Sequence, residues 1–179
     1  MLKINKSKLL YYYAKFVKEK GSPGSVAGGW ALGVLIGFAI PFGLQLFVSI
    51  PLSFVLRCSR IGAVAGTFVT NHVTILFIYP LQTWIGSYII GKPINYASVK
   101  DMIAQFTEEP SFEVLSKLGG GIVASFFLGG FFLALVSAPV AYFVVKLLVI
   151  KSRNRKELRK RRRMEKLLKE AEKSVESDL

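Results

Sequence analysis

GSPGSVAGGWALGVLIGFAIPFGLQLFVSIPLSFVLRCSRIGAVAGTFVTNHVTILFIYPLQTWIGSYIIG, residues Gly21–Gly91, carries only two charged side chains, Arg57 and Arg60. They divide it into two apolar blocks, Ser25–Leu56 and Ile61–Gly91. Each block is interrupted near its middle. Pro41-Phe42-Gly43-Leu44-Gln45 breaks the first and Thr70-Asn71-His72 the second. Pro41 lacks a backbone donor and its ring clashes with the preceding turn, so a helix cannot run through it undisturbed, and Gly43 adds a second breaker. At ~1.5 Å per residue an unbroken first block would far exceed a hydrocarbon core of roughly 30 Å. A bent, re-entrant hairpin fits better, provided that protein shields the broken backbone. Paired, interrupted apolar segments are also the usual pointer to a binding centre in a membrane.

The blocks share a plan of glycine-spaced helix, polar break and second helix. Gly29, Gly33 and Gly37 recur every fourth residue, as do Gly62 and Gly66, which favours close helix contact. Thr67, Thr70, Asn71 and Thr74 make the second break polar, Tyr79-Pro80 predicts a later kink, and Trp84 and Tyr88 suit a membrane interface.

Outside this stretch the charge changes character. The 179 residues are 52% hydrophobic yet carry a formal net charge of +13. Most of the basic residues lie before residue 21 or after residue 145. Segregation of this kind fits apolar spans with basic cytoplasmic flanks, and nucleic-acid binding is disfavoured because no binding motif accompanies the cations. Residues 1–20 are expected to form an interfacial amphipathic helix, with Leu9, Tyr13, Phe16 and Val17 on one face and Lys8, Lys15 and Lys18 on another. They do not resemble a cleavable signal peptide. Residues 92–117 read as a mildly acidic loop, with a short helix over Val99–Phe106. Leu118–Val145 is an uncharged run long enough to span, in which Pro139 could introduce a kink. Residues 146–179 then form a basic helical tail.

Both basic ends belong in the cytoplasm. One apolar block must therefore return to the side it came from. If the first block returns, Arg57 and Arg60 stay inside, the second block crosses outward, and Leu118–Val145 crosses back. The expected fold is an all-α integral membrane protein with two broken or re-entrant helical segments, one long transmembrane helix, an amphipathic N-terminal helix and a basic C-terminal helix.

The ordered set Gly21-Ser22-Pro23, Gly33, Gly37, Pro41-Phe42-Gly43-Leu44-Gln45, Arg57, Gly66-Thr67 and Asn71 resembles the DUF2062 family across roughly residues 5–145. The resemblance implies a small multi-pass domain of the bacterial inner membrane covering residues 21–145, sometimes joined to glycosyltransferases, with no assigned activity. This chain departs from the usual pattern at His72, where the family often has proline, and at Cys58-Ser59, where an asparagine is common.

Chemistry is limited by what is missing. No carboxylate lies between Lys20 and Lys92 or within Leu118–Val145. Single copies of cysteine (Cys58) and histidine (His72) exclude an intrachain disulfide and a Cys/His metal cage. No catalytic residue, metal or cofactor is expected, and an enzyme is disfavoured because no nucleophile–base–acid set can form around His72. What remains is neutral. Gln45, Thr67, Thr70, Asn71, His72 and Thr74 are candidates to bind a polar or anionic group at the breaks, and Arg57 and Arg60 to hold lipid headgroups. Interhelical hydrogen bonding by Gln45 and Asn71, a satisfied buried imidazole at His72 and simple snorkelling of the arginines are the alternatives. The leading reading is a transport or lipid-handling module. The other is a non-catalytic scaffold recruiting an envelope-glycan enzyme. Anionic lipids are the expected partners at the basic ends, with a second copy or another membrane protein shielding the breaks.

Overall fold

The structure is a computed structural model describing residues 21–101 and 112–177, with the backbone alone for 112–119, 166 and 169–177. Among the described residues every regular element is a helix and there is no strand. The expected N-terminal helix lies outside them, as does most of the expected Val99–Phe106 helix, of which the described residues 99–101 end a helical stretch that begins at 96.

Ser22 starts the first helix, α1 (Pro23–Ala39), by accepting a hydrogen bond from Ser25 N, with proline at its first position where a missing N–H costs nothing. Pro41 ends it as expected. After a short turn the chain forms α2 (Gln45–Val55) and runs back along α1. Gln45 lies beside Gly37 and Ile40, Leu52 packs on Leu32 and Ile36, and Ser59 N donates to Ser25 O at 3.0 Å. Block one therefore doubles back to its own beginning.

The second block behaves differently. Ser59 caps α3 (Arg60–Thr67) through Gly62 N, and α3 runs parallel to α1. The glycines set this contact, since a Cβ on Gly33 would collide with the Ala63 carbonyl and one on Gly66 with that of Trp30. After the second break, α4 (Ile75–Ile90) continues onward, and left-handed Gly91 (φ 76°) closes it. Helix α4 runs through Pro80 and α5 (Phe112–Ser177) through Pro139, where the sequence predicted kinks. Both prolines lie inside their helices, which continue past them.

Helix α5 is the spine. It is antiparallel to α1, with Val26 against Val145 and Val149 and Phe38 against Ala134. It is also antiparallel to α4, where Gly86 meets Ser125 and Gly129 meets Gln82, backbone against backbone. Its 66 residues extend about 100 Å, and it is the one helix among the described residues long and apolar enough to cross a membrane.

The two blocks are structural repeats. Gly33, Gly37 and Pro51 have counterparts at constant spacing in Gly62, Gly66 and Pro80, and both breaks pass through a bend and a turn before the next helix starts. What differs is the exit. Helix α2 folds back, and α4 goes on.

Candidate functional site

The two breaks meet at one level of the bundle. Gln45 heads the arrangement because it opens α2 on the face turned toward the end of α1. Its Nε2 donates to Gly37 O (2.9 Å), Ile40 O (3.0 Å) and Thr70 Oγ1 (2.7 Å), sharing its hydrogens among them. Thr70 Oγ1 in turn lies 3.1 Å from both Gly37 O and Thr67 O. A helix end leaves carbonyls without partners, and Gln45 and Thr70 supply those of α1. Thr67 Oγ1 donates to Val64 O at 2.7 Å. All three side chains are buried.

Asn71 and Thr74 form a reciprocal cap. Asn71 Oδ1 accepts from Val73 N (2.9 Å) and Thr74 N (3.1 Å), while Thr74 Oγ1 accepts from Asn71 N (2.8 Å) and donates to Val69 O (2.8 Å). His72 is exposed, not buried, and its ring meets Phe42 edge-on at 4.7 Å. Gly43 takes the left-handed backbone the first break requires (φ 97°), and Phe42 N donates to the Tyr79 hydroxyl at 2.6 Å. A cleft of about 80 Å³ lies here, lined by Phe42, Gly43, Gln45, Leu46, Thr67, Phe68 and Thr70.

Arg57 and Arg60 are not part of this cluster. They sit where α2 turns into α3, at the opposite end of α3 from Thr67. Arg57 adopts a left-handed backbone (φ 51°), and the exposed Arg60 guanidinium covers the Phe54 ring at 4.6 Å. Arg153 reaches the Gly21 carbonyl and Lys146 lies over Tyr142, so the cations collect at this end. Burial pushes the Cys58 thiol above its ordinary range, partly offset by a backbone hydrogen bond.

The sequence reading missed a second set of polar residues. The buried face of α2 carries Ser49 and Ser53 below Gln45, and that of α4 carries Gln82, Thr83 and Ser87. Ser49 Oγ and both amide atoms of Gln82 are fully buried (0% exposed) and make no hydrogen bond. The signal was present as polar residues at i, i+4 and i+8 inside an apolar block. Among the described residues no group of three or more His, Cys, Asp or Glu could hold a metal.

A family described as uncharacterized protein conserved in bacteria (DUF2062) matches residues 6–158. No curated protein and no solved structure matches the chain.

Proposed function

We propose that this chain, which belongs to the DUF2062 family of proteins conserved in bacteria, is a multi-pass inner-membrane protein that carries a small polar solute past its paired breaks. One observation supports this above the others: the helices are inside out. Helix α2 buries Gln45, Ser49 and Ser53 while exposing Phe47, Phe54 and Val55. Helix α5 exposes Phe131, Phe143 and Leu147. A helix in water hides its apolar stripe, whereas a helix in lipid gains nothing by hiding it.

In this reading the cationic end, with Arg57, Arg60, Lys146 and Arg153, faces the cytoplasm and its anionic headgroups. Trp84, Tyr88 and Tyr96, packed ring against ring, mark the outer interface. The rise along α5 from Ser125, opposite α4, to Val145, opposite the start of α1, is about 30 Å, one hydrocarbon thickness. The first block is then re-entrant, the second crosses, and both termini are cytoplasmic. In this reading the chain is not an enzyme, and among the described residues the buried interior holds no carboxylate.

The test is flux. Purified protein in vesicles should speed the entry of at least one solute from a panel of small uncharged and anionic compounds. Carbonate-resistant insertion with no acceleration of any of them would overturn the transport reading. A second reading, the scaffold, draws on α5 alone. Beyond the bundle α5 continues as helix through Lys151–Arg163, nine cations against Glu157, with Leu158, Met164, Leu167 and Leu168 exposed. Such an arm suits an acidic cytoplasmic partner, and its deletion separates the two readings.

A further inference from the structure

We infer that the buried polar faces of α2 and α4 form one continuous file across the protein, a closed path for small uncharged hydrogen-bonding solutes of the size of water, urea or glycerol. The inference rests on the transport reading above and names its route and solute class.

The inner half follows α2. Ser53, Ser49 and Gln45 stand one turn apart on its buried face, leading from the cationic end to the breaks. The outer half follows α4. Gln82, Thr83 and Ser87 lie along its buried face and lead toward Lys92, whose backbone N–H bonds the Ser87 carbonyl. The halves lie in different seams, α2 against α3 and α4 against α5. They join at the breaks, where Phe42 N meets the Tyr79 hydroxyl. Without the interruption at Pro41–Leu44 the chain could not pass a polar face from one seam to the other.

These hydroxyls do not glue the helices together. Ser53 donates to Ile50 O, Thr83 to Tyr79 O and Ser87 to Trp84 O, each within its own helix. A hydroxyl satisfied this way keeps acceptor capacity and contributes no interhelical bond. Ser87 Oγ also accepts from Ile94 N at 3.2 Å and so holds the segment after α4, but at Ser53 and Thr83 packing in lipid would be served as well by alanine.

The decisive feature is what has no partner. Ser49 Oγ sits in the inner half, and the Gln82 amide in the outer half, beside Gly130. A buried amide without hydrogen bonds is costly. In a seam of glycine and serine it is where a guest with both a donor and an acceptor would bind. The file contains no ionised side chain. A phosphate or a metal ion would lose its hydration without a counter-charge, while an uncharged solute trades water for hydroxyl and amide partners. The close α4–α5 contact at Gly86 and Gly129 makes this the closed form, so passage requires the seam to part.

The experiment uses the full chain reconstituted in vesicles, with stopped-flow swelling for water, urea and glycerol and tracer uptake for inorganic phosphate. The expected result is accelerated entry of uncharged solutes and none for phosphate. Gln82→Leu should lower that entry about tenfold or more, the change expected from one lost hydrogen bond to the guest. It should fold normally, because it removes an unsatisfied group of similar shape. Ser49→Ala tests the inner half in the same way. Entry of phosphate alone would overturn the file and leave the transport reading standing. Unchanged urea and glycerol entry in both variants would overturn it too. Failure of every solute would overturn both.

Discussion

Gln45 Nε2 donates to Thr70 Oγ1 at 2.7 Å, and this bond ties the first break to the second. Because Gln45 also donates to Gly37 O and Ile40 O, its loss takes the side-chain donor from Ile40 O and leaves Gly37 O to Thr70 Oγ1. Gln45→Leu should therefore destabilise the protein by about 1–3 kcal/mol, the cost of leaving buried polar groups unsatisfied. Thr70→Val should cost less, since Gln45 retains two acceptors. A double-mutant cycle, read by unfolding in detergent, should give a coupling of about 0.5–3 kcal/mol. Additive effects would show that the pair does not join the breaks.

Gln82 makes the opposite prediction. It is as deeply buried as Gln45 but has no partners. Gln82→Leu should leave the melting temperature unchanged or raise it, because an orphaned amide gives way to an apolar side chain of similar shape. A clear loss of stability would mean that Gln82 is a structural bond after all.

This contrast marks how far the sequence could be read. The all-helical fold, the two breaks and the long apolar α5 were legible because Pro41, Gly43 and an uncharged run act locally. The glutamine and threonine of the breaks were recognised as a cluster, and interhelical bonding by Gln45 was one of two open readings, but its acceptors were not legible. Whether a buried amide serves a backbone or a guest depends on which carbonyl the fold brings near it. Arg57 and Arg60 were read as headgroup ligands between the two blocks. Helix α3 places them at its other end.

The parallel α1–α3 contact gives a steric prediction. At Gly33 an added Cβ meets the backbone of Ala63 and Gly66, which cannot yield. Gly33→Ala should cost about 1–3 kcal/mol or more, as overpacking does. At Gly28 the nearest atom would be Cys58 Cβ at 3.5 Å, an ordinary contact. Gly28→Ala should be neutral or stabilise by up to about 1 kcal/mol through helix propensity. Thermal melts of both variants test the contact. Equal effects would contradict it.

Cys58 reports the proposed orientation without engineering, because it is the single cysteine and lies in the turn beside Arg57. In inside-out vesicles a membrane-impermeant maleimide should label it, and in right-side-out vesicles it should not. Because burial raises its pKa, the thiolate is the minor form near neutrality. Labelling should accelerate with pH, by about tenfold per unit while the thiol remains mostly protonated. With Cys58→Ala as background, Lys92→Cys should label from the other side. Protection of both from the same face would mean that α3 and α4 do not together cross the bilayer.

The reach of α5 supplies the last test. Arg153 holds the Gly21 carbonyl and so fixes the start of α1 to the spine, whereas Glu157 and Arg161 pair with each other on an exposed surface, at 2.9 Å. Such an exposed i, i+4 pair contributes about 0.3–0.5 kcal/mol. Removing residues 157–179 should therefore leave the melting temperature of the bundle within a few degrees of the full chain and leave solute entry intact. Arg153→Ala should lower stability although it deletes far less. If truncation abolishes cellular function while vesicle flux persists, the arm recruits a partner and the bundle carries the solute. If truncation abolishes flux as well, the path does not reside in the bundle alone.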